Sequence, residues 1–409
     1  MVRASNPGPV DPAIDAAALL RRVGFFGLFV IVPVAAQVAR RAVVILAPIA
    51  IVLLVLAGAL DGKYRPLRPA LARLLGAPAF LAGLLVVLWS VLSLVWTPFL
   101  GPATERLLNL AATIALTLAG FLALPDRMRS ANLYLLPLGV AAAATLAILL
   151  GLFGDTLRGG SDEDNTLDRG LILLALLAWP SVAWLRSRGR DVEALAVLLL
   201  VSGALVLAPN MTQLLALAVG ALAFALTSYR PSLGTTITAG LIAVLLVAAP
   251  LLPFVARPIG IAVAGPVAPT VLTLKSWQKV VTTEPVRLVT GHGFETARRG
   301  RLVNLLPVNA PTTLLFELWY ELGIVGALAA AYALFGCVKR AGRQAPALVP
   351  GAMAAFAAAF TIACVGVGLT AMWWVTSLSI AVLVFVAVER GQFRTRRPKA
   401  SLLRAANDA

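Results

Sequence analysis

Charge is what this sequence has least of. Only 13% of its 409 residues are Asp, Glu, Lys or Arg, against about 25% in a soluble domain. That excludes an ordinary water-soluble protein. Histidine occurs once, as His292, and cysteine twice, as Cys337 and Cys364. Nothing resembles a metal site, a phosphate-cradling glycine loop or a dinucleotide fingerprint, so neither metal nor cofactor is expected. The two cysteines fall near opposite ends of two helices on the topology below, so no disulfide is expected. Acids are scarce inside the apolar runs. Coupled carriers keep ionisable residues at the membrane midplane, which disfavours a proton-coupled transporter.

What the sequence has is hydrocarbon. Hydrophobic residues make up 60% of the chain, and the mean hydropathy is +0.93. A helix needs roughly 20 mostly apolar residues to cross a bilayer core. Twelve such spans are expected, near 22–38, 42–60, 78–98, 106–124, 133–153, 169–185, 192–208, 211–228, 233–254, 311–336, 346–365 and 370–388. The fold class is therefore all-α, a polytopic membrane protein. Transmembrane β-barrels alternate polar and apolar residues; these runs are continuous, so a barrel is excluded. The run Gly24–Val38 has signal-peptide length, but Arg40-Arg41 directly after it disfavours cleavage. A retained helix is expected.

The net charge of +16 follows the loops. With both termini in the cytoplasm, 22 of the 34 Lys and Arg residues fall in cytoplasmic segments and five in short opposite loops. That is the positive-inside bias of a multi-pass inner-membrane protein, and it removes the need for nucleic acid as a partner. Arg40-Arg41 is the one clear dissent. The chain then divides into a tail (1–20), nine helices (21–254), a long periplasmic loop (255–310), three helices (311–390) and a basic tail (391–409).

Two outward segments carry the polar chemistry. Gly154–Arg169 is acidic and Gly-rich and brings Asp168-Arg169-Gly170 to a helix mouth. Its acids suit a helix N-terminus, while Arg169 could face a polar site at membrane level. The long loop is the second. Thr273–Val289 alternates polar and apolar residues around Trp277, as an interfacial amphipathic helix does, and the turn Gly291-His292-Gly293 follows. Lys275, Lys279, Arg287, Arg298, Arg299 and Arg301 suit phosphate oxygens or anionic membrane lipid. Asn309 and Pro311 lead into the next span, where Glu317 and Glu321 share a helix face. Carboxyls there are costly unless paired or exposed to a water-filled cavity, so they are either functional or locked by Arg298 or Arg299. His292 is either exposed and catalytic or a polar turn residue.

Three features carry a resemblance: the twelve-helix layout with one long late loop, Trp277 followed by Gly291-His292-Gly293-Phe294, and Glu321-x-Gly323-x-x-Gly326 re-entering the membrane. Together they resemble the O-antigen ligase and O-antigen polymerase family of envelope glycosyltransferases. The resemblance implies glycan transfer from an undecaprenyl-diphosphate-linked oligosaccharide, outside the bacterial inner membrane and without metal. It implies that arginines (here Arg169, Arg298, Arg299 and Arg301) hold the diphosphate. The family's His-Asn pair falls by spacing at Thr312-Thr313, where no His stands and Asn309 is the nearest amide. This makes the chain a divergent member, with Glu317 expected as base and Glu321 expected to position the helix or the acceptor. A flippase of lipid-linked saccharide and an inactive scaffold of an assembly complex are the alternatives.

Overall fold

The computed structural model describes residues 12–62, 75–158, 164–208, 210–368 and 371–392. Outside the described residues lie most of both tails, the cations of the 61–77 loop and positions 159–163 of the acidic loop. Every regular element among the described residues is helical. In chain order these are α1 Pro12–Ala35, α2 Ala42–Leu60, α3 Pro78–Leu92, α4 Leu100–Ala123 and α5 Leu135–Arg158. Then come α6 Asp164–Ser187, α7 Asp191–Val206, α8 Thr212–Tyr229, α9 Pro231–Val247 and α10 Leu252–Ala264. The last five are α11 Pro269–Thr283, α12 Thr296–Leu302, α13 Leu314–Ala341, α14 Val349–Val365 and α15 Met372–Arg390.

Nine helices among the described residues are long and apolar enough to cross a membrane, or ten if α9 and its bent continuation make one span. The chain is thus a polytopic membrane protein by length and composition. The difference from twelve has a physical reason. Helices α7 and α14 have 16 and 17 residues, about 24–26 Å at 1.5 Å per residue, short of a core of about 30 Å. The first helix begins at Pro12 rather than after the tail. The expected 255–310 loop is mostly helical. The chain bends by 64° after α9 and runs on through α10, whose Val255, Ile259 and Val263 are exposed. It then turns back along α11.

Proline opens several helices by supplying a preset φ where no N–H is needed: Pro78, Pro231 and Pro269 stand at such starts. Pro33 lies inside α1, just after a π-helical stretch at Gly27–Ile31. A π turn is a common way for a helix to absorb a residue that cannot bond backwards.

Two packed cores result. The first gathers around α6, with α1, α2, α5, α7, α8, α14 and α15; α6 itself is buried along most of its length. The second joins α3, α4, α9 and α13 to α11 and α12. Between them lies an apolar cavity of about 570 Å³, walled by α3, α4, α6, α9, α13, α14 and α15. Its wall runs from Phe294 and Leu314 at one end of α13 to Ala341 and Gln344 at the other.

Arg390 ties the end of α15 to the end of α4. Its guanidinium donates to the carbonyls of Phe121 and Leu124 and lies over the Phe121 ring at 4.7 Å. These are the orphan carbonyls at the end of α4. Replacing Arg390 with Met should cost about 2–3 kcal/mol, the scale of a charge-assisted hydrogen bond, and lower the melting temperature of the detergent-solubilised protein by several degrees. An unchanged melt would show that these contacts do not matter.

Candidate functional site

The site is built on a broken helix. Inside α13, Gly323 has φ 62° and ψ −158°, which interrupts the helical ladder and frees the carbonyls before it. Each finds a donor from elsewhere. His292 N–H donates to Tyr320 O at 2.8 Å, Gly293 N–H donates to Glu321 O at 3.1 Å, and Trp89 Nε1–H donates to Leu322 O at 2.9 Å. A Cβ on Gly291 (φ 76°) would lie 2.1 Å from Glu321 O, and one on Gly323 would lie 2.4 Å from Val289 O. Both positions therefore need glycine, for close approach as well as for conformation. The two glycine motifs of the sequence are halves of one joint. An aromatic ladder seals it: Trp277 stands edge-on to Phe316, Phe316 stacks on Tyr320, and Tyr320 stacks on His292 at 3.9 Å.

Beneath the joint sit three buried carboxyls, Glu295, Glu317 and Glu321. Arg301 donates to Glu317 Oε1 at 2.9 Å and to the carbonyl of Pro311, so the lock on Glu317 is Arg301, not Arg298 or Arg299. Glu295, in a left-handed conformation at φ 65°, faces Arg298 at 3.3 Å and Arg106 at 3.7 Å. Glu321 Oε1 accepts the Ala297 N–H at 3.1 Å. Its buried Oε2 has no hydrogen-bond partner among the described residues, and neither has Nε of Arg299. Glu317 also lies against the turn between α14 and α15, where a Cβ on Gly368 would be 2.9 Å from its Oε2.

Arg169 meets the start of α15. Its guanidinium lies over the Trp373 ring at 5.1 Å. Ala371 N–H, two residues before Trp373, donates to Gly368 O. The bend after α1 packs on the start of α6: the backbone of Ala36 and the side chain of Gln37 press on Gly170. This brings Arg40 close enough for its charge to act on Arg169. The neighbouring Asp168 is occupied elsewhere, by the side-chain amides of Asn210 and Gln213.

The structure thus brings Glu317, Glu321, Arg298, Arg301 and, through Tyr320, His292 into one cluster. It sets Arg169 apart with Arg40. Lys279, Arg287 and Asn309 are exposed on α11, on the single helical turn Arg287–Thr290 and in the turn that precedes α13. Both ring nitrogens of His292 are engaged, Nδ1 with Tyr320 O at 3.0 Å and Nε2 with Glu284 at 2.9 Å. Sequence reasoning missed Glu284, Glu295, Arg106 and Trp373. Only Arg40 had left a signal, as the dissenting charge in an outward loop. Among the described residues no group of three His, Cys, Asp or Glu is placed to hold a metal. No family model and no curated protein matches the sequence.

Proposed function

We propose that this protein is a membrane glycosyltransferase, taking its glycan from a polyprenyl-diphosphate-linked donor at the outer face of the bacterial inner membrane. In this reading both chain ends are cytoplasmic and the short helices α7 and α14 complete twelve crossings. The observation that carries it is the division of the cations. Arg106, Arg298 and Arg301 are compensated by buried carboxylates. Arg169 and Arg40 have no acid against them among the described residues, and two neighbouring uncompensated guanidiniums favour an anion such as a diphosphate. The apolar cavity supplies the other half of a lipid-linked ligand. Leu176, two turns beyond Arg169 on the same face of α6, lines it, as do Trp374 and Leu314.

In this reading Arg169 and Arg40 neutralise the departing diphosphate. Glu317, across the Gly368 turn, accepts the proton of the acceptor hydroxyl, once Arg301 yields or shares it. A carrier of the whole saccharide fits less well. Among the described residues Ser90 and Gln344 are the only side chains with an amide or hydroxyl in the cavity wall, and a polyhydroxylated head group would cross it unsatisfied.

The test is transfer in proteoliposomes holding the purified protein and a polyprenyl-diphosphate oligosaccharide. Release of polyprenyl diphosphate is expected. Ala355→Trp and Ala359→Trp, which fill the cavity, should raise the donor KM about tenfold, the worth of one or two buried methylenes. No release, together with undiminished surface polysaccharide in cells lacking the protein, would end the reading.

A further inference from the structure

His292 is held from both sides by acceptors. Nδ1 faces Tyr320 O at 3.0 Å. A carbonyl cannot donate, so this nitrogen carries a proton. Nε2 faces the Glu284 carboxylate at 2.9 Å, so it too must be protonated, or share a proton with that carboxyl, for the contact to be a hydrogen bond. The ring lies flat on Tyr320, with planes 11° apart, and its backbone N–H holds the same Tyr320 carbonyl. One side chain therefore clamps the last turn before the break in α13. The groups facing it are Glu284 from the end of α11, Arg287 from the turn after it, and Tyr320 from α13, with the Glu321 carbonyl one bond away through Gly293.

We propose that the Glu284–His292 pair is a proton-dependent clasp on the outer half of α13, and that it positions Glu317. The clasp is complete while imidazole carries both protons and the carboxyl carries none. Once Nε2 loses its proton, two acceptors face each other. The ring keeps its bond to Tyr320 O, but its tie to Glu284 at the end of α11 is then lost, and α13 is held less firmly. Glu284 and His292 are positioning residues here, since neither reaches Glu317 except through α13. The functional consequence rests on the role assigned to Glu317 above; the clasp itself does not.

The protein has a single histidine, so the test is unambiguous in a sample without a histidine tag. In ¹⁵N-histidine-labelled protein, both ring nitrogens should be protonated at pH 5.5. On deprotonation the ring should keep its proton on Nδ1, the tautomer that free imidazole disfavours. Hydrogen exchange of peptides covering 314–323, corrected for intrinsic rate, should speed up about five- to tenfold from pH 5.5 to 8, the loss of one hydrogen bond. Glu284→Gln should flatten that pH dependence, because an amide can donate to the neutral Nε2. An Nε2–H tautomer at high pH, or equal pH dependence in wild type and Glu284→Gln, would overturn the clasp. If the clasp holds but Glu317→Gln is fully active in transfer, the site reading fails and the clasp stands.

Discussion

Arg169→Ala is expected to slow glycan transfer about 10²–10³-fold, the cost of removing one preorganised group that stabilises developing charge. Arg169 stacks on Trp373 and is half-buried, so its charge acts through a medium less screening than water. Arg40, more exposed, should contribute less, and Arg40→Ala should mainly weaken donor binding. Glu317→Gln should lose about 10²–10⁴-fold, as the loss of a general base does, while the Arg301 contact survives through the amide oxygen. Arg301→Met is the informative contrast. It strips the partner from a buried carboxylate, so it should destabilise the protein by about 3–5 kcal/mol as well as reduce activity. Each is measured as turnover in proteoliposomes and as long surface glycan in cells, with melting temperature as the control for folding. Full activity in both Arg169→Ala and Glu317→Gln would sink the assignment.

The largest structural effect should come from Gly291→Ala. The added Cβ would meet Glu321 O at 2.1 Å, and the backbone at φ 76°, ψ 175° lies in a region essentially reserved for glycine. The strain alone is about 1–3 kcal/mol. Moving residue 291 aside also draws away the His292 and Gly293 donors and leaves the Tyr320 and Glu321 carbonyls buried without them, at about 1–3 kcal/mol each. A loss of about 4 kcal/mol or more is expected, a large share of the 5–15 kcal/mol that typically separates folded from unfolded. Gly265→Ala provides the comparison: its φ is 85°, but a Cβ there meets nothing within 4 Å, so only strain is lost. Size-exclusion profiles in detergent should show a sharp monodisperse peak for Gly265→Ala and mostly aggregate for Gly291→Ala. Equal behaviour of the two would show that the joint does not hold the fold.

These predictions turn on pairings with uneven traces in the sequence. Glu317 and Glu321 stood out because a carboxyl beside a membrane helix is costly alone. Their spacing put them on one face, and both are buried. Their partners did not follow. Arg298, Arg299 and Arg301 are nearly interchangeable by position, and the direction of a seven-residue helix decides that Arg301 reaches Glu317 while Arg298 turns to Glu295. Glu295 itself left no periodic signal, since it stands just before the short α12 in a left-handed conformation rather than on a helix face. Arg40-Arg41 was visible as a break in the charge rule, but the rule says only that something offsets the cost, not that Arg169 lies nearby.

What the sequence determined by itself is the all-helical, membrane-crossing architecture, because hydropathy is a one-dimensional sum that each helix satisfies alone. It also marked the polar segment where the chain departs from hydrocarbon. The tertiary structure alone decided which cations are neutralised and which stay open, and that the two glycine motifs form one joint. Only it revealed the cavity between two cores. Those are facts about residues far apart in the chain, and a carbonyl freed at Tyr320 finds its donor at His292 only once helices α11 to α13 have folded over one another.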